Sequence, residues 1–334
     1  MPSYLNWGLD NPQARSWVLW AIASLILYIP LCNAIRRHQR RRLTRKHGPL
    51  EKMTLEEAYA IKSWMAEHEF PRVFSAAMSL VFFTSEGIPS VARPVAGVLK
   101  RALQFSSPSS SSPSSKDPAT PQPKPRTCPP LTPADLLGPP GSSPTLAAIA
   151  RVNHVHGIYK PSGPDLLYTL SICVLLPQRW IARFEPRHVT LEERHALATL
   201  WRAIGEELRV PYELLPSYDG KEGGGFRDAL HWLEELETWA KEYERRNREM
   251  SSEGVFLGEK EVEMMLKGVP KIFKRVARGC LAALIDPELR VVKRIEPPSK
   301  MTAAVVEAVI VVRKVIRKYF CSPVALVKGY RRSS

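Results

Sequence analysis

Cysteine is scarce in this chain. Of 334 residues only five are cysteine (Cys32, Cys128, Cys173, Cys280 and Cys321), and none forms a Cys-x-x-Cys pair. Neither a disulfide framework nor a cysteine zinc site is therefore signalled, and free thiols in a reducing compartment are the expectation. No Asn-x-Ser/Thr sequon occurs, which fits a cytosolic body. Acidic residues are outnumbered, 33 against 48 basic. Seven of the +15 net charges sit in the single run Arg36 to Lys46, so +8 belongs to everything else. That distribution argues against a nucleic-acid partner and for a local role of the cluster. The glycine-rich stretch 220–225 (GKEGGG) has no strand before it and is too polar for a phosphate-binding fingerprint.

Charge is absent altogether from Trp17 to Leu31 (WVLWAIASLILYIPL). Extended to Ile35, the run approaches the ~20 residues that a bilayer-spanning helix needs. Trp17, Trp20 and Tyr28 are aromatics of the interfacial kind. The arginines follow the run rather than precede it, which favours a signal anchor over a cleaved signal peptide. By the positive-inside rule the body stays cytosolic. The organisation expected is a luminal N-terminus at 1–15, a transmembrane anchor at 16–35, a basic juxtamembrane segment at 36–47, and one domain at 48–334.

Branched apolar side chains are nearly missing from Ser106 to Ser143, which is dense in serine and proline until Leu136. Such a stretch buries too little to offset its ordering entropy, so 106–143 is expected to be a disordered insertion in an all-α helical bundle. Elsewhere helical periods dominate. Thr54 with Glu57, and Thr190 with Glu193, have capping-box spacing. Helices are expected over Met53–Glu69 (closed by Pro71), Phe74–Phe83, from a turn at Gly87–Pro89 to Leu103, and over Thr145–Gly157. Further helices are expected over Asp165–Leu176 (stopped by Pro177), Leu191–Leu208, Asp228–Met250, Gly268–Leu284 and Thr302–Tyr319. The last is rich in β-branched residues, which would also suit a strand, and its cations Arg313, Lys314, Arg317 and Lys318 suit a membrane surface.

His154 and His156 stand two residues apart. On a helix they point ~200° from one another and cannot share one metal. A single inward imidazole would suit a haem iron; a histidine hydrogen-bonded at a helix end is the plainer reading. Arg179 and Arg183 could hold propionates or pair with Glu185. A di-iron alternative starts from Glu192-x-x-His195 and Asp228-x-x-His231, whose i, i+3 spacing occurs in di-iron carboxylate bundles.

The ordered matches from Arg151 onward carry a family resemblance. Arg151, Asn153 and His156 are followed by Asp165, Leu167, Tyr168, Thr169 and Leu170, then by Pro177, Arg179 and Trp180, then by Glu193, Arg194, Trp201 and Gly205. Gly87-Ile88-Pro89-Ser90 adds an upstream turn. This pattern resembles the fungal MpaB-type oxygenases of the endoplasmic reticulum, which share a catalytic domain with latex-clearing rubber oxygenases. The resemblance implies an all-helical fold holding haem b, with His156 as the iron ligand and Arg151 and Arg179 as cofactor-binding residues. It implies O2-dependent cleavage of a C=C bond in an isoprenoid or lipid-like substrate, by a single-pass protein of the endoplasmic reticulum membrane. The family's distal Arg-x-x-Lys-Thr motif is not intact here. Arg126 and Thr127 stand in the Lys-Thr places, Pro123 replaces the arginine, and the surrounding prolines oppose a helix. A non-catalytic, membrane-tethered interaction protein on the same scaffold is the alternative that this departure leaves open.

Overall fold

Helix starts are written locally in this chain, and the computed structural model bears that out. It describes residues 53–106, 133–220 and 225–319, with Tyr28, Pro30 and Ala34. The expected anchor otherwise, the basic run, most of the Ser/Pro tract including Arg126 and Thr127, and the chain after Tyr319 lie outside the described residues. Among the described residues every regular element is helical, and no helix is long and apolar enough to cross a membrane.

Helix α1 (Leu55–Trp64) begins with the expected capping box: Thr54 Oγ1 accepts from the Glu57 amide at 3.2 Å, and the Thr54 amide donates to Glu57 Oε2 at 3.0 Å. A π turn (Met65–Glu69) follows and the chain breaks at Phe70. Pro71 does not simply end this helix. It occupies the first turn of α2 (Pro71–Ser79), where its missing N–H costs nothing. The single helix expected over Phe74–Phe83 is divided at Leu80, after which α3 (Val81–Ser85) runs to the Gly87 turn. Helix α4 (Pro89–Ser106) follows.

The disorder expected up to Ser143 is corrected at its C-terminal end. A 3-10 turn spans Pro133–Leu137, with Leu136 and Leu137 buried in the main core and the Leu137 carbonyl accepting from the buried Lys62 ammonium. Two leucines supply the apolar area that the preceding serines and prolines lack. Helix α5 (Ser143–Tyr159) comes next.

Helix α6 (Gly163–Phe184) is the axis of the fold. It packs on α2, α3, α7 (Leu191–Glu207) and α8 (Ala229–Asn247). Pro177 was expected to stop it, yet the helix runs through the proline. Leu167, Ile172, Val174 and Ile181 are buried around it, enough to outweigh the ~3 kcal/mol that an internal proline costs. Arg179, Trp180 and Arg183 therefore lie on the helix rather than in a turn. Gly205 explains the closeness of α6 and α7: a Cβ there would collide with the Tyr212 hydroxyl and Leu170 Cδ2. The Thr190–Glu193 capping box forms as expected, and Glu193 also takes both terminal nitrogens of Arg187 at 2.7 and 2.8 Å.

Helix α9 (Ser252–Met265), which sequence periodicity did not single out, packs on α4 and is capped by Ser251. Helices α10 (Lys274–Leu284), α11 (Pro287–Val292) and α12 (Lys300–Tyr319) complete the chain, with α12 against α10. The β-branched run of α12 is helical throughout.

Candidate functional site

Helix α5 carries the histidine pair. It docks through Thr145, Ala148 and Ile149 on the 3-10 turn, and Asn153 Nδ2 donates to the Glu207 carbonyl at the end of α7, at 3.0 Å. The helix does not end at Gly157; it runs to Tyr159, and Lys160 takes the left-handed position (φ 47°) that was expected of the glycine. The geometric split of the histidines holds. His154 is exposed, whereas His156 is half-buried, with Nδ1 shielded from solvent and without a hydrogen-bond partner among the described residues. Burial lowers the His156 pKa, so the ring is neutral at pH 7. Val152 and Tyr159, four residues before and three after, share its face. Val155, Ile158 and Tyr159 are exposed apolar neighbours.

A second constellation gathers many of the residues that carry the family pattern. Asp165 is buried near the start of α6 and accepts from Ser90 Oγ at 2.7 Å, Ser162 Oγ at 2.6 Å and the Tyr243 hydroxyl at 2.9 Å. One turn further on, the buried Tyr168 donates to Glu244 Oε1 at 3.0 Å, and Arg248 pairs with the same carboxylate at 3.0 Å. Burial and then Glu244 push the Tyr168 pKa well up; burial and then Asp165 raise that of Tyr243 to about 12. Both phenols are therefore hydrogen-bond donors at physiological pH. Arg179 reaches the same Glu244 at 3.9 Å and is partly exposed. Arg183 instead caps α10, donating to the carbonyls of Ala283 and Leu284. Glu185, at the foot of α6, pairs with neither of these arginines but with Arg313 and Arg317 of α12, both at 2.8 Å. Sequence reasoning nominated Asp165, Tyr168 and Arg179 but missed Tyr243, Glu244 and Arg248, whose partners lie more than seventy residues away.

Of the di-iron candidates, Asp228 and His231 are otherwise engaged, whereas His195 Nε2 is buried without a hydrogen-bond partner among the described residues. Asp228 caps α8 by accepting from the His231 amide at 2.8 Å; His231 Nε2 meets Glu235 at 3.2 Å, and Glu235 also takes Ser217. His195 is buried against Thr199, its pKa lowered by burial and raised in part by Asp228. Among the described residues no group of three or more His, Cys, Asp or Glu is placed to hold a metal ion.

Haem asks a protein for a neutral axial imidazole, an apolar wall and cations for its propionates. His156, with its unpartnered Nδ1 and with Val152 and Tyr159 on the same face of α5, fits the first two. Arg179, on α6 and partly exposed, keeps N–H donors beyond its long 3.9 Å contact to Glu244.

The chain is 32% identical over 288 residues to a Penicillium roqueforti (strain FM164) protein named ER-bound oxygenase mpaB, an alignment covering 82% of this chain and 89% of that one. It is 29% identical over 327 residues to ER-bound oxygenase mpaB' of Penicillium brevicompactum, covering 93% and 72%. A third relative, ER-bound oxygenase mpaB of Penicillium brevicompactum, is 31% identical over 250 residues, covering 70% of this chain and 58% of that protein. No protein-family profile matches the chain, and no solved structure matches it.

Proposed function

From the premise that this chain belongs to the MpaB family of ER-bound oxygenases, we propose that it is a membrane-anchored, haem-dependent oxygenase acting with O2 on a C=C bond of an isoprenoid or lipid-like chain. Its class is that of an oxidoreductase. The observation that carries the haem reading is His156: a neutral, half-buried imidazole with no hydrogen-bond partner among the described residues, on a helix whose outer side is apolar. Haem b, held by His156, would supply the redox-active iron for chemistry with O2.

In this reading His156 holds the iron, and its low proton affinity keeps the ring available as a ligand. Arg151 and Arg179 are the candidate partners for the propionates. Arg126 and Thr127 are the candidate distal residues, and they lie outside the described residues. Val155, Ile158 and Tyr159 offer an apolar surface to a water-insoluble substrate. The Asp165–Tyr243 and Tyr168–Glu244–Arg248 networks position rather than react: they fix α6 against α4 and α8. A span over 16–35, followed by the cations of 36–47, would keep the 48–334 domain on the cytosolic side of the endoplasmic reticulum membrane, beside such a substrate.

The test is spectroscopic. Full-length protein, purified in detergent and supplied with haem, is expected to show a Soret band that His156→Ala abolishes or shifts and His195→Ala leaves in place. A band unchanged in His156→Ala overturns the ligand assignment, and no band in the unaltered protein overturns the haem reading.

A further inference from the structure

Helix α12 is inverted relative to an ordinary surface helix. Its inward side carries charge: Arg313 and Arg317 converge on the fully buried Glu185, and Arg317 also donates to the Glu69 carbonyl at 2.9 Å. Ile310 is its buried apolar contact with the core. Its outward side carries a broad charge-free stripe, with the exposed Lys300, Glu307 and Lys318 along one margin. Met301, Val305, Val309, Val312 and Ile316 recur at steps of three or four residues and are 77, 55, 60, 56 and 46% exposed. Ala304, Ala308, Val311 and Val315 widen the stripe, so at ~100° per residue the charge-free arc covers roughly 160° of the helix. Val305, Val309, Val312 and Ile316 line an open groove of about 450 Å³, with Arg313 and Arg317 at its edge.

The neighbouring element repeats this chemistry. The 3-10 turn Lys271–Phe273 leads into α10, which packs on α12. Ile272 is 80% and Phe273 56% exposed, and Lys271, Lys274 and Arg275 flank them, exposed as well. Residues 267–319 hold thirteen lysines and arginines against four acidic residues, a net of +9.

A patch this apolar needs a cover. The cover must be apolar in depth and anionic at its edge. A second copy of the chain would bring two strongly cationic segments together. The chain's other long apolar run, Trp17–Leu31, is followed by seven more cations. An anionic bilayer surface meets both demands: acyl chains accept the apolar face of a helix lying in the interface, and the headgroups attract the flanking cations. We propose that the outward face of α12 and the Lys271–Arg275 turn form a docking surface for anionic lipid, separate from the 16–35 anchor. It leans on the proposed function only for the nearness of a membrane and does not depend on haem or oxygenase chemistry.

The test uses the full-length chain carrying Val309→Cys, reconstituted into vesicles and treated with a maleimide-polyethylene glycol, with the unaltered protein as the background for the native cysteines. In vesicles with about 30 mol% phosphatidylserine, modification at position 309 is expected to be about 10-fold slower or more than in phosphatidylcholine alone. Lys271→Glu, Lys274→Glu and Arg275→Glu together, all at exposed positions, are expected to restore the fast rate in the anionic vesicles. Equal rates in the two vesicle types overturn the proposal. So does equal protection in both vesicles and in detergent, which would mean that protein covers the face. Alkaline carbonate extraction reads the anchor independently: a chain that is extracted, yet protected at 309 in anionic vesicles, loses the anchor and keeps the docking surface.

Discussion

The interior around α6 and the two outer helices α5 and α12 treat polar and apolar groups in opposite ways. In the interior the charged side chains are buried in partnership: Asp165 takes three hydroxyls, Glu244 takes Tyr168 and Arg248, and away from α6 the fully buried Lys293 ammonium lies between Glu86 at 3.1 Å and Glu261 at 2.8 Å, while the ring nitrogens His195 Nε2, Trp201 Nε1 and Trp232 Nε1 have no partner among the described residues. On the outer helices large apolar side chains face outward. An interior of this kind specifies one packing, because each unpaired buried group would cost more than its pair gains. Helix α12 joins that closure through Arg313 and Arg317 on Glu185, while the apolar side chains that α5 and α12 expose are available to something other than this chain. The residues that identify the family thus divide into a scaffold, Asp165, Tyr168 and Gly205, and one candidate for chemistry, His156.

The sharpest way to break this contrast is to unpair the interior. Lys293→Met leaves Glu86 and Glu261 facing each other without a cation, and is expected to cost about 3–5 kcal/mol in urea denaturation. Asp165→Ala strands the hydroxyls of Ser90, Ser162 and Tyr243, and is expected to cost about 3 kcal/mol by the same measurement. Gly205→Ala forces Tyr212 and Leu170 apart, with an expected loss of about 1–3 kcal/mol. Position 205 tests whether the α6–α7 approach, and not only its charges, is specified. A variant there as stable as the unaltered protein would show that the crossing has room to give.

Smaller effects sharpen the contrast from the other side. Burial, opposed by Lys293, pushes the Glu86 carboxyl from its ordinary 4.5 up to about 7. The folded state therefore holds this proton more tightly than the unfolded chain does. That contribution to stability is whole below about pH 4.5 and is lost as the pH rises through about 7. Glu86→Gln is expected to flatten the stability profile across that window, read as thermal midpoints at several pH values. At the rim, His156→Ala is expected to move stability by less than about 0.5 kcal/mol while changing the haem spectrum. A large loss of stability there would place His156 with the scaffold.

Local signals were legible in the sequence and distant ones were not. Both capping boxes form because threonine and glutamate three residues apart satisfy each other's backbone. The division of His154 from His156 follows from helical geometry alone. Pro177 misled because its cost is local while the burial that outweighs it comes from four other helices. Leu136 and Leu137 were counted with the tract before them, although two buried leucines suffice to fold the turn. Helix α9 carried one usable signal, Ser251 as a cap, but its two glycines obscured the period; Gly258 is needed because Lys293 lies against it. Ser162 apart, the partners of Asp165, Tyr168 and Glu185 sit 75 to 132 residues away, and no window along the chain could have paired them.

The clasp of Arg313 and Arg317 on Glu185 also bears on how the protein is made. Glu185 leaves the ribosome 132 residues before Arg317 is added. At about 5–20 residues per second, the carboxylate waits on the order of ten seconds for its second cation. Until then the foot of α6 cannot close over it without stranding a charge. The last described helix thus supplies the cations for a carboxylate made much earlier, and the foot of α6 in a nascent chain stays open until α12 has been made.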